Sequence, residues 1–183
     1  HFVQARGFEI ELERKRLAEL VVTTGRLIAC DLLAAPESEP FEMEVSPGRY
    51  PVFAILAHMR DTPKLAYLLV DFDDNPRVTR WEVGHVTGED PVAWNDRSRG
   101  GFHLETGVGC IMDEVGQELV LDNTASPDGE DMFVRNLRKK LGRAHRGNGI
   151  AWAEMTFGLL DGTNVIAFEA NDGIYVTHFG RNA

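Results

Sequence analysis

Two apolar runs lie close together in the first half of the chain, "YPVFAILAHM" (Tyr50–Met59) and "KLAYLLVDF" (Lys64–Phe72). Both are far shorter than the roughly 18–20 residues that a membrane helix needs. Each has the length and the β-branched and aromatic content of a strand. Their near-continuous apolarity predicts strands buried on both faces or nearly so. A chain that holds two such strands must supply others to pair with them and further layers to cover them.

The rest of the sequence offers those partners. "FEMEV" alternates, so Phe41, Met43 and Val45 should face a core while Glu42 and Glu44 face water. Pro47 and Gly48 in "SPGR" stand where a type II turn wants them. "RVTRWEV", "GFHLETG", "IAWAEMTFG", "NVIAFEA" and "GIYVTHFG" read as further strands, with "LDGTN" (Leu160–Asn164) as a hairpin turn. In "VVTTGRLIACDLL" two β-favouring runs flank Gly25, which reads as a hairpin or a bent strand.

Helical signals are fewer. Residues 9–20, "EIELERKRLAEL", carry Glu, Arg and Leu at helical spacing and predict a short helix. "MDEVGQELVLDN" fits a short helix or another strand. A helical element around 128–145 has an apolar stripe of Phe133, Val134, Leu137 and Leu141. Its acids (Asp128, Glu130, Asp131) lie at the start and its bases at the end, as the helix dipole favours. About eight to ten strands against two or three helices define an α+β fold, predominantly antiparallel β, either a sandwich or an open barrel. Helices do not alternate with strands, which excludes a doubly wound sheet. The length suits a single domain, 1–183.

With 19 basic and 29 acidic residues the net charge is −10. That balance argues against nucleic acid or an anionic membrane surface as partner. No secretory signal is visible at the start. Two cysteines make no disulfide framework, so a reduced, cytoplasmic protein is expected. A Cys30–Cys110 disulfide would need the fold to bring the two together.

The phosphate-loop, dinucleotide, nucleophile-elbow, HExxH and CxxC signatures are all absent. What remains are carboxylates in turns. Asp31 sits among leucines in "RLIACDLL", where it must be hydrogen-bonded, paired or strand-terminal. Asp113 follows the glycine-bracketed bend "ETGVGC", and Asp172 opens the turn "NDG" before Gly173 and Tyr175. If the three turns met, the carboxylates would bind a divalent cation or share a proton. Turn chemistry explains each of them separately. Cys110 has no base beside it in sequence and reads as a small buried residue. His103 and Glu105 share a strand face and are the nearest approach to a metal site, although a solvated face looks the same. No cofactor is expected. Arg135, Arg138, Lys139 and Arg143 form a basic contact patch for an acidic partner, or a plain solvated helix face.

Four stretches taken in order, "GRLIACDLL", "SPGRYPV", "ETGVGCIMD" and "NVIAFEANDGIYVTHFGRNA", resemble the segments of a bacterial family, the domain of unknown function numbered 4241. Leu32 stands where that family tends to have proline, and Glu105-Thr106 where it has Asp-Ala. The resemblance implies a bacterial, cytoplasmic protein. By position it directs attention to Asp31, Cys110, Asp113, Asp172, Gly173 and Tyr175 as a candidate cleft. It carries no activity, so whether the protein is an enzyme stays open. The expected function is a non-catalytic binding or interaction module whose partner is another protein, with an immunity or accessory role by analogy. The rivals are a carboxylate-based hydrolase or lyase, with or without a metal, and a small-molecule carrier with a pocket between sheet and helix 128–141. The sequence sets no oligomeric state.

Overall fold

The computed structural model describes residues 2–5, 8–59, 62–73, 78–88, 101–148, 150–157 and 162–182. In chain order the elements are β1 (Phe2–Ala5), β2 (Phe8–Val22), β3 (Leu27–Asp31), β4 (Gly48–Met59), β5 (Thr62–Val70), β6 (Arg80–Val83), β7 (Gly101–Leu104), β8 (Val108–Asp113), α1 (Glu114–Thr124), α2 (Pro127–Asn148), β9 (Trp152–Thr156), β10 (Asn164–Glu169), β11 (Gly173–Val176) and β12 (His178–Arg181). The fold is α+β and mostly antiparallel β.

The first sheet has the order β1-β2-β4-β5 and the second β3-β8-β10-β9; β11-β7 and β12-β6 form two-stranded ribbons. Every ladder is antiparallel. The two sheets pack face to face. Leu20, Val22 and Val52 of the first meet Leu27 and Ile166 of the second, with Phe41 and Phe179 closing the same core. The second sheet's other face carries Ile28, Cys30, Cys110, Met112, Val165 and Ala167, which pack against Phe133, Leu137 and Leu141 of α2 and Val120 of α1. Strand alternation sorts these two sets of side chains between the layers. Leu137 and Leu141 are fully buried, each stabilising the helix layer by about 2–3 kcal/mol.

Both helices follow from local rules. Asp113 caps α1 by accepting from the Val115 N–H, and Glu114 lies in its first turn. That cap settles the ambiguous "MDEVGQELVLDN" as helix. The stripe expected on α2 is its buried face, and the helix passes through Gly142 to Asn148.

Several expectations need correction. Residues 9–20 are not helical; they lie in β2, which pairs with β4 along most of its length. The chain around Gly25 is not a hairpin, because β2 and β3 belong to different sheets. Gly25 instead takes φ +89° where the chain crosses between them, and a Cβ there would lie 2.4 Å from the Val45 carbonyl oxygen. "FEMEV" keeps its expected inward and outward faces but makes only isolated bridges, Arg26–Glu44 and Phe41–Val86. Gly48 opens β4 without the positive φ of a type II turn. β5 is half exposed, unlike β4, because it is the sheet's edge. "GIYVTHFG" splits at Thr177 into β11 and β12. In "LDGTN", residues 160–161 lie outside the described residues; β9 and β10 on either side are antiparallel neighbours.

One buried amide ties the two sheets together. Asn164 Oδ1 accepts from the Val21 N–H at 2.9 Å, while its Nδ2 donates to the Glu19 carbonyl at 2.7 Å and to Glu154 Oε1 at 2.8 Å.

Candidate functional site

Asp31 ends β3 and is 1% exposed. Its Oδ1 accepts from the Leu33 N–H (3.0 Å), the Ala34 N–H (3.1 Å) and the Thr106 hydroxyl (2.5 Å). Its Oδ2 accepts from the Glu105 and Thr106 N–H groups, both at 2.8 Å. The β7–β8 turn can present those amides because Gly107 takes φ +77°. Burial pushes the Asp31 carboxyl up, but the Thr106 hydroxyl and the three amides of Thr106, Ala34 and Glu105 together outweigh it. The net result is a carboxyl below its ordinary range.

Asp113 is equally engaged. Besides Val115 it accepts from the backbone N–H groups of Thr23 and Thr24 and from both threonine hydroxyls, at 2.6–3.2 Å. It is fully buried. Asp31 pairs across the ladder with Gly109, and Asp113 with Leu27. The two carboxylates therefore bracket opposite ends of one ladder, about 13 Å apart at ~3.3 Å per residue.

Asp172 is exposed and lies 3.4 Å from His103 Nε2, while His103 Nδ1 lies 3.2 Å from Glu105 Oε1. These are surface pairs, worth little. Among the described residues no group of three or more histidines, cysteines or carboxylates is arranged to hold a metal ion. The three aspartates thus do not converge, and none of them lines either of the concavities described below. A reaction that needs their oxygens in one place has no site here.

Cys110 does have a neighbour that the sequence left open. It stands directly opposite Cys30 in the β3–β8 ladder, with the sulfurs 3.5 Å apart and both side chains buried. Gly173 begins β11. The Tyr175 hydroxyl donates to the Asn171 carbonyl at 2.7 Å, and its ring stacks on Phe102 with centroids 5.9 Å apart. Burial is the main reason its phenol lies above the usual range. Arg135, Arg138, Lys139 and Arg143 are exposed on α2.

Among the described residues a cleft of about 890 Å³ opens on the other face of the second sheet, away from the helices. Its floor includes Leu27, Ala29, Ile111 and Phe168. Its walls are two unbroken runs of residues, Leu65–Asp73 and Ile174–Gly180. Side chains alternate along a strand, so an unbroken run of lining residues means that the strand presents its edge. Tyr67, Phe72, Trp81, Ile174 and Val176 all line this cleft, and all are between 36% and 57% exposed. Of the residues singled out from sequence, Tyr175 and Cys110 line it as well. Tyr67 and Phe72 escaped notice because "KLAYLLVDF" read as buried on both faces, and Trp81, Ile174 and Val176 because their strands gave no sign of facing a cleft. The usable signal was Trp81 flanked by Arg80 and Glu82, an aromatic in a charged strand. A second concavity, about 740 Å³, lies between Leu33 and α2 and mixes Phe133 and Val134 with Thr106, Glu130 and Arg138.

Fold and site together define a three-layer α+β protein with two structural aspartate brackets and an apolar cleft between strand edges. The chain belongs to the family described as a protein of unknown function, DUF4241, whose model matches residues 20–183. No curated protein and no solved structure matches it. Among the described residues no helix is long and apolar enough to cross a membrane.

Proposed function

We propose that the protein is a non-catalytic binding module whose cleft receives an extended, apolar segment of a partner polypeptide. The observation that carries this reading is the gathering of five exposed large apolar side chains around one cleft. Scattered surface hydrophobes are ordinary, but a contiguous patch beside a groove marks a binding surface. The shape of the cleft favours a strand as occupant. β5 is the last strand of its sheet, so its outer edge offers backbone N–H and C=O groups with no strand partner among the described residues. An added strand takes up such groups, and its alternate side chains enter the apolar floor. Asp71, paired there with Arg14, and Asp73, bonded by Asn182, lie at the cleft; it is the strongly acidic charge of the chain as a whole that suits basic residues flanking the apolar segment.

The test is fluorescence anisotropy with a labelled octapeptide of alternating Val and Thr flanked by lysines, against the same composition in scrambled order. Binding of the alternating peptide, lost in Ile174→Asp and Val176→Asp at unchanged Tm, supports the reading. Equal binding of both peptides, or binding that survives both substitutions, overturns it. Uptake of 1-anilinonaphthalene-8-sulfonate that the alternating peptide does not displace points to a small apolar ligand instead.

A further inference from the structure

We infer that Cys30 and Cys110 are a modification site: in the folded protein they close to a disulfide when a peroxide or a small disulfide reaches them, stapling β3 to β8. The two residues are directly opposed in an antiparallel ladder. The Leu32 N–H bonds the Val108 carbonyl and the Glu114 N–H bonds the Arg26 carbonyl, so by alternation Cys30 and Cys110 form a hydrogen-bonded pair. Such pairs hold their Cα atoms about 5.5 Å apart, inside the range that a disulfide spans. The sulfurs already lie on the same face, 3.5 Å apart. Closing to about 2.05 Å needs side-chain rotation and a small strand adjustment, not a rearrangement.

Ile28, Leu32, Met112 and Ala167 belong to the same apolar core as the pair. With hydrogen peroxide as oxidant the chemistry balances. One sulfur, as thiolate, attacks the peroxide, the O–O bond breaks and a water departs, leaving a sulfenic acid. The second sulfur attacks the first, the S–O bond breaks and the second water leaves with the remaining proton. Two electrons pass from the sulfurs to the peroxide, and both thiol hydrogens end in water. With a small disulfide the same pair closes through a mixed disulfide and releases two small thiols. The Cys30 contact first, then burial, hold the Cys110 thiol well above its ordinary range, so thiolate is scarce and the closure slow. A reducing compartment keeps such a pair as two thiols.

Cys110 also lines the cleft, but both cysteines belong to the core shared with the helices, and the test below reads the cross-link directly whatever occupies the cleft. The cross-link would tie residues 80 apart in sequence, a long loop whose closure restricts the unfolded chain strongly. The experiment treats the folded protein with hydrogen peroxide, and separately with oxidised glutathione. The chain is then unfolded in iodoacetamide for intact-mass analysis, alongside a Tm measurement. We expect a loss of about two mass units for the two hydrogens, no alkylation, a monomeric chain and a Tm raised by several degrees, all reversed by dithiothreitol. Cys30→Ala and Cys110→Ala should each abolish the mass loss and the Tm rise, while a peptide map of the oxidised wild type identifies the link directly. The inference is overturned by two alkylatable thiols persisting in the folded chain under conditions that oxidise the urea-unfolded chain. A cross-link between two chains, or a lowered Tm on oxidation, overturns it equally.

Discussion

Replacing Asp31 with alanine should cost this protein a large part of its stability. The carboxylate accepts four backbone N–H bonds and one hydroxyl bond from two separate turns. Hydrogen bonds to a charged group are worth about 1.5–3 kcal/mol each. They do not add in full, because Glu105 and Thr106 are exposed and water takes over part of their amides. Discounting for that leaves about 3–5 kcal/mol, against a total of about 5–15 kcal/mol for a typical domain. In a chain of this length that is a Tm lowered by about 6–20 °C. Asn at this position is no substitute. Its NH₂ must face either the three donors around Oδ1 or the two around Oδ2, so about 2–4 kcal/mol is still lost. The pH dependence identifies the cause. The folded carboxyl lies below its ordinary value, so its stabilisation is complete above about pH 4 and is lost as pH falls through the folded value. Urea denaturation of wild type and Asp31→Ala should show a constant gap from pH 7 to 5 that narrows towards pH 2. A gap under about 1 kcal/mol at pH 7, or one that does not narrow in acid, would refute the argument that a saturated carboxylate holds these turns.

Asn164→Leu should lose about 2–4 kcal/mol, since it leaves the buried Val21 N–H and the Glu19 carbonyl without their side-chain partner; chemical denaturation measures it. Gly25→Ala should unfold or severely destabilise the chain, because φ is +89° and the new Cβ would lie 2.4 Å from the Val45 carbonyl oxygen; circular dichroism on the purified variant decides. Near-native stability would mean that the crossing between sheets is not as drawn.

The sequence carried the layers better than the joins. The apolar run at 50–59 and the stripe on α2 announced a buried strand and a packed helix, because burial of that kind shows in the sequence pattern; the run at 64–72 misled, because β5 is an edge. Residues 9–20 misled for a local reason. The register with β4 shifts between Arg16 and Ala18, leaving Leu17 as an extra residue. That bulge breaks the period-2 pattern, so Leu17 and Leu20 fall at helical spacing, in a stretch of helix-favouring Glu, Arg and Ala. Pairing with β4 overrides the propensity. Asp31 was marked as a carboxylate that must be hydrogen-bonded, paired or strand-terminal and Asp113 as a turn residue, but one sequence cannot say that their partners are amides of distant turns. The cleft was invisible because its walls are strand edges, and edge position depends on the order of strands in the sheet.

The β3–β8 ladder has a consequence for the growing chain. The local contacts of β3 lie at its ends, where the Leu27 carbonyl accepts from the Phe41 N–H and the Asp31 carbonyl from the Ala35 N–H; its ladder partners come about 80 positions later, and both of its end brackets are completed by that same region. At about 5–20 residues per second on a ribosome, that is a delay of several seconds. β4 and β5 can meet early, while Ile28, Cys30 and Leu32, which pack under the helices, stay uncovered until the Thr106 turn and the helices emerge. A holdase that protects this stretch should raise the yield of native chains, and a pause placed just before codon 104 should lower it.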